Sequence, residues 1–243
     1  EAQMHGLGTI VNVAAIVAGG FGGLAFGKVL TKNRQDMLMQ VLGLCTMFLG
    51  IGGAMQEMLV INSDGLATQG TMMIIGCLVA GALIGDVLDI EGGLEHFGDW
   101  LREKTHSGGD GTFTEGFVST SLIVCVGAMA IVGAIKDGLS GDMSVLLAKA
   151  VLDCVLVMIM TSAYGIGCIF SAIPVFILQG GVSLLARVVR PFMTEAALSN
   201  ISLIGSMMIF CVGVNIIRHR QFKVANMLPA LILAVIWAFM PWA

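Results

Sequence analysis

Apolar residues run almost without interruption over 7–30, 37–61, 71–90, 113–135, 145–163, 168–189, 198–217 and 224–242, and short polar stretches separate the runs. Each run is close to the ~20 residues that a helix needs to cross ~30 Å of hydrocarbon. The pattern predicts about eight transmembrane helices that nearly fill the chain. Between the third and fourth runs, residues 91–104 carry Leu94, Phe97, Trp100 and Leu101 at helical spacing among acids and bases. That segment is expected to lie at the membrane interface as an amphipathic helix. Thr105 to Thr112 is rich in Gly, Ser and Asp and reads as a loop, and Asn62-Ser63-Asp64-Gly65 reads as a polar turn. Tyr164-Gly165-Ile166-Gly167 gives a tight turn or a helix break, Pro174 and Gly180-Gly181 fall inside the sixth run, and Asn226 and Pro229 begin the eighth. There Pro229 would loosen a turn and free carbonyls. The fold class is all-α: a polytopic membrane helix bundle forming one transmembrane domain over 1–243.

Composition strengthens this picture. Of the 243 residues 57% are hydrophobic and only 12% charged, and the mean hydropathy is +0.94. Soluble domains average roughly 45–50% apolar and about 25% charged, so this chain lacks the polar surface to coat a water-soluble globule. Glycine is abundant at 33 residues and proline rare at 4, which suits helices packed closely in lipid. Gly19, Gly23 and Gly27 form a small-xxx-small ridge that would let the first helix cross a neighbour closely or dimerise, and the third helix carries Gly76, Gly81 and Gly85. The net charge of −4 says little about partners, and no basic patch argues for nucleic acid. The cysteines, Cys45, Cys77, Cys125, Cys154, Cys168 and Cys211, all lie in apolar runs without a metal pattern and are expected to be reduced packing residues. His5, His96, His106 and His219 sit in or beside loops, so no metal site and no cofactor are expected. Met4 is expected to be the natural start, and no cleavable signal is expected before the first span.

Basic residues gather in three short loops: Lys28, Lys32 and Arg34; Arg102 and Lys104; Arg218, Arg220 and Lys223. With eight spans these loops share one side, which places them in the cytoplasm and both termini outside. Arg187 and Arg190 fall on the other side and would snorkel or sit at the interface. Residues 9–55 align without gaps with 124–170, as in Ala15-Ile16-Val17 with Ala130-Ile131-Val132 and Gly50-Ile51-Gly52 with Gly165-Ile166-Gly167. The alignment suggests repeat units of three spans over 7–90 and 113–190, with further helices over 198–242. An odd number of spans inverts the second copy, a recurring plan in secondary transporters.

Charges inside lipid need a reason. Lys149 and Asp153 lie i and i+4 on one face, within reach of a salt bridge. They read either as an ion or substrate locus or as a solvated structural pair near the outer end of the helix. Lys136, Asp137 and Asp142 just before them read as an interfacial cluster. Glu115 suits the first turn of its helix. Asp86 and Asp89 end the third helix, where they are expected to meet water or basic partners. Glu57, with Gln56 beside it, is either exposed or lines a vestibule. Asn12, Gln179 and Asn215 are mid-span amides, and each reads as inter-helix glue or as solute ligand.

Gly8-Thr9-Ile10-Val11-Asn12, Glu115-Gly116-Phe117, Val126-Gly127-Ala128-Met129-Ala130-Ile131, Lys149 through Asp153, Gln179-Gly180 and Asn226-Met227-Leu228-Pro229-Ala230 together resemble the YqgA/YdfK-like family of bacterial membrane proteins. The resemblance covers the chain from about Gly6 onward. It implies a multi-pass protein of the bacterial inner membrane, described at most as transporter-like, and supplies neither substrate nor functional residues. No nucleotide-binding, HExxH or Ser/His/Asp pattern occurs, so the chain is not expected to be an enzyme. A secondary transporter or channel-like permease of a small solute or ion is expected, with Lys149, Asp153, Asn12, Gln179, Asn215 and Glu57 along its pathway. A membrane scaffold whose glycine ridges mediate assembly is the other reading, and a homodimer is the expected assembly.

Overall fold

The computed structural model describes residues 6–27, 31–62, 65–105, 112–125, 128–218 and 221–240. Lys28, Leu30, Ser63, Asp64, Gly127, Arg220, Trp242, Met4 and the histidines His5, His106 and His219 lie outside the described residues. The described chain is helical apart from one hairpin, in the order α1 (Leu7–Gly27), α2 (Lys32–Met58), β1 (Leu59–Asn62), β2 (Gly65–Thr68), α3 (Thr71–Leu88), α4 (Ile90–Lys104), α5 (Thr112–Cys125), α6 (Ala128–Ser140), α7 (Ser144–Tyr164), α8 (Ala172–Leu184), α9 (Ala186–Val189), α10 (Glu195–Arg218) and α11 (Pro229–Trp237). Six of its helical stretches, including the 3-10 turn and helix over Ile166–Leu184, are long and apolar enough to cross a membrane. The fold is the all-α polytopic class that the pattern predicts.

The two remaining apolar runs depart from straight helices. The fourth, expected as one helix over 113–135, is a pair, α5 and α6, bent by 62° at a break. The eighth opens with a 3-10 turn at Ala225–Met227 and continues as α11 with Pro229 in its first turn, where proline's missing N–H costs nothing. The second run gives up its last residues to the hairpin. Leu59 pairs with Thr68 and Asn62 with Gly65, and Gly65 takes a φ of 119° that a side chain would resist. The stretches aligned as a repeat differ locally: α1 is continuous, whereas 124–142 holds the break, and Gly50 lies inside α2, whereas Gly165 ends α7 at φ 84°.

The chain forms two compact units drawn from interleaved stretches, Glu1–Leu42, Gly93–Cys125 and Met129–Arg190 in unit 1, and Gly43–Gly92, Val126–Ala128 and Pro191–Ala243 in unit 2. In unit 1 the glycine ridge of α1 lies on α7. A Cβ on Gly19 or Gly23 would collide with the carbonyl oxygens of Cys154 and Met158, and one on Gly27 would stand 2.9 Å from that of Ser162. The contacts climb both helices in the same sense, so α1 and α7 run parallel. The ridge is thereby occupied within the chain, and a dimer would use another surface. The bent pair begins beside the end of α7, where a Cβ on Gly116 would stand 2.6 Å from Tyr164, and finishes beside its start, where one on Gly133 would stand 2.7 Å from Leu146. Its two helices thus lie beside opposite ends of α7. Helix α4 packs Phe97 edge-on against Phe117, with ring centroids 5.8 Å apart, and buries Leu101, while Thr114 donates to Asp99 at 2.7 Å.

In unit 2, a Cβ on Gly50 of α2 would stand 2.6 Å from the backbone of Phe210 in α10, and one on Gly81 of α3 would stand 2.5 Å from that of Ala230 in α11. Gly43 lies beside Ile217 and Gly50 beside Ser206 and Phe210, so α2 and α10 run antiparallel. By the same token Gly81 beside Ala230 and Gly85 beside Asn226 make α3 and α11 antiparallel.

Candidate functional site: a buried charge cluster in unit 1

Four elements carry the cluster. Asp153 is the tenth of the 21 residues of α7, so it stands at mid-helix. One turn earlier Lys149 points the same way, and its Nζ donates to both carboxylate oxygens of Asp153 at 2.8 Å. The two side chains are only 10% and 7% exposed. This excludes the reading of a solvated pair near the outer end of the helix. From α1, Asn12 Nδ2 donates to Asp153 Oδ2 at 3.0 Å and also to Gln179 Oε1 of α8 at 3.2 Å. Asn12 and Gln179 are 0% and 1% exposed, yet Asn12 Oδ1 and Gln179 Nε2 have no hydrogen-bond partner. Thr9, one turn before Asn12, is buried with its hydroxyl likewise unpaired. The fourth element is the bent pair: Cys125, at the end of α5, lies within electrostatic reach of both Lys149 and Asp153.

Taking two charges out of water costs several kcal/mol per ion, and only close pairing with further hydrogen bonds offsets it. Here the ammonium meets both oxygens and an amide adds a third bond. The helical offset of four residues makes the pair possible, and the glycines of α1 bring Asn12 within range of α7.

Of the six residues expected along a pathway, Lys149, Asp153, Asn12 and Gln179 meet in this one cluster. Asn215 does not belong to it. Its Nδ2 donates to the Phe222 carbonyl at 2.7 Å and its Oδ1 accepts from the Gln221 and Phe222 N–H groups at 2.9 Å, so it ties the end of α10 to the loop that follows. Glu57 belongs to unit 2, where its Oε2 accepts from Ser199 at 2.6 Å. It lines a cavity of about 540 Å³ with Gln69, Ser199, Asn200 and Trp237. Asp86 meets Lys223 at 3.4 Å, the basic partner foreseen for it, and also accepts from Asn226 at 3.3 Å.

Asp137 is the residue whose place the sequence pattern hides. Its expected setting is an interfacial cluster with Lys136 and Asp142, yet it is fully buried, whereas Lys136 and Asp142 are exposed. Helix α6 runs on to Ser140, and Gly138 lets it close on the Ser183 carbonyl, which draws Asp137 inward beside Gly8. The charged residue just before it in sequence masks this burial. Thr9 also escapes the sequence pattern, although its spacing of three from Asn12 puts both on one helix face.

The sequence profile of a family described as "Protein of unknown function (DUF554)" matches residues 7–239. The chain belongs to the DUF554 family. It is 28% identical over 232 residues to the "Uncharacterized membrane protein YdfK" of Bacillus subtilis (strain 168), covering 96% of this chain and 95% of that protein. It is 28% identical over 233 residues to the "Uncharacterized protein YqgA" of Escherichia coli (strain K12), covering 94% of each. No solved structure matches. Membership in DUF554, a relative named as a membrane protein and the long apolar helices together make this a multi-pass membrane protein.

Proposed function

We propose that this DUF554 protein is a secondary transporter or channel-like permease that passes a small solute or ion through unit 1 in the bacterial inner membrane. The observation that carries the reading is the Lys149–Asp153 pair, closed at 2.8 Å at the middle of an apolar helix. Ionisable groups at that depth are costly and mark solute or proton paths far more often than packing. The bent pair supports the same reading, because transporters place binding sites where discontinuous helices end near the bilayer middle, and α5 ends within electrostatic reach of the charge pair.

The helix directions also support a topology. With α1 and α7 parallel, an odd number of crossings lies between them. Helices α2 and α3 supply two, and the α5–α6 pair, counted as one crossing, supplies the third. Counting Ile166–Leu184, α10 and the short eighth segment then gives eight crossings, with both termini outside and the loops holding Arg34, Arg102 and Lys223 in the cytoplasm.

Flux into proteoliposomes tests the function. Wild-type protein should move at least one member of a panel of inorganic cations, amines and organic acids above protein-free vesicles. Asp153→Asn, which keeps the shape and removes the charge, should abolish that flux while the protein still purifies folded. Undiminished flux in Asp153→Asn would remove the pair from the pathway, and no flux across the panel would leave the scaffold reading in its place.

A further inference from the structure

The unpaired atoms of the cluster define a ligand. Among the described residues, Asn12 and Gln179 are buried amides, and each has one polar group unsatisfied: the acceptor Asn12 Oδ1 and the donor Gln179 Nε2. Buried polar groups almost always find partners, and one left alone costs about 1–3 kcal/mol. Both atoms belong to residues bonded to each other through Asn12 Nδ2, which also donates to the Asp153 carboxylate. The carboxylate is the only anion in the set, and Lys149 already occupies it with a primary ammonium. The Asp153 carboxylate thus accepts an R–NH3⁺ group. An incoming monocation can take the place of the Lys149 ammonium on the carboxylate, one positive charge to one negative, whereas a divalent cation would leave a further positive charge uncompensated in low dielectric. The oxygen-only acceptor set disfavours soft metals, and among the described residues no group of His, Cys, Asp and Glu could hold a metal ion.

We propose that Asp153, Asn12 and Gln179 form a binding site for a primary ammonium solute that also carries an oxygen acceptor, and that the Lys149 ammonium is its tethered competitor. Two ammonium protons of the solute meet the oxygens of Asp153, and the third meets Asn12 Oδ1. A hydroxyl or carbonyl on the same solute accepts from Gln179 Nε2. Lys149 closes the carboxylate when the solute leaves, so the Asp153 carboxylate is never left without a cation. This assignment rests on reading unit 1 as the pathway, but binding and transport can fail separately.

Thermal unfolding of the purified full chain in detergent, with ethanolamine as the probe, tests it. Ethanolamine should raise the melting temperature saturably, and in Lys149→Gln half-saturation should come at a concentration at least about tenfold lower, because the tethered competitor is gone. Choline, with the same charge and hydroxyl but no ammonium N–H, should give no shift, and Asp153→Asn should abolish the ethanolamine response. If Lys149→Gln does not fold, wild-type protein decides the matter alone: a saturable shift with ethanolamine and none with choline supports the site, and equal or absent shifts overturn it. A response to sodium or potassium alone would also overturn the ammonium assignment. An ethanolamine shift without flux would keep the site and sink the transporter, and flux without any ethanolamine shift would do the reverse.

Discussion

Each unit contains a lysine–aspartate pair, and the two pairs sit in opposite surroundings. In unit 1 Lys149 and Asp153 meet at 2.8 Å with side chains 10% and 7% exposed. In unit 2 Lys223 and Asp86 meet at 3.4 Å with side chains 69% and 65% exposed. Glycine-mediated packing is common to both, in Gly19, Gly23 and Gly27 on α7 and in Gly81 and Gly85 on α11 and the turn before it. Backbone packing therefore does not tell the units apart, whereas the depth of charge does. An exposed pair can be lost at little cost, whereas losing one partner of a buried pair strands a charge, and well-packed apolar side chains in place of both often serve stability as well.

The largest contrast should come from removing one carboxylate in each unit. Asp153→Ala leaves the Lys149 ammonium buried without its partner and should cost about 3–5 kcal/mol. Asp86→Ala should cost at most about 1 kcal/mol. Denaturation of the purified protein reads both, and equal losses would erase the distinction between the units.

Next in size are the glycines, where the two units should behave alike. A methyl at Gly23 falls on the Met158 carbonyl and one at Gly85 on that of Asn226. Gly23→Ala and Gly85→Ala should each cost about 1–3 kcal/mol through overpacking. A cost confined to one of them would mean that the units do not share this packing.

The smallest effect lies at the exposed loop before α7. Asp142 Oδ1 accepts the Ser144 N–H at 3.0 Å, and the Ser144 hydroxyl and N–H hold the Asp142 carboxyl below its ordinary 3.8. A depressed carboxyl contributes stability above its unfolded pKa and loses it as pH falls through the folded value. Ser144→Ala removes the larger cause and should move the Asp142 titration upward, with little change in melting temperature at neutral pH. An NMR titration of Asp142 reads the shift.

Much of this arrangement is legible in the sequence, because each readable feature rests on local spacing. Run length gives the spans, the i and i+4 offset gives the Lys149–Asp153 pair, and the glycine ridge gives a close crossing. Where the sequence misleads, burial depends on partners distant in the chain. Asp137 looks like surface beside Lys136, yet Gly138 against Ser183 turns it inward. Asn215 looks like a mid-span amide that would bond a neighbouring helix or a solute, yet the return of the chain at Phe222 claims its bonds. The fourth run carries no proline to announce the bend between α5 and α6. The convergence of Asn12 and Gln179 on Asp153 is likewise beyond local reading, since 141 and 167 residues separate the bonded pairs.

By the proposed function the buried pair in unit 1 is kept for passage of a solute and not for stability, and the neutral double variant Lys149→Met/Asp153→Asn separates the two roles. Removing both charges together leaves no unpaired ion, so folding stability should return to within about 1–2 kcal/mol of wild type, whereas Asp153→Asn with Lys149 intact stays well below it. Flux in proteoliposomes should nevertheless remain at the protein-free background. A double variant that folds and transports at the wild-type rate would contradict the claim.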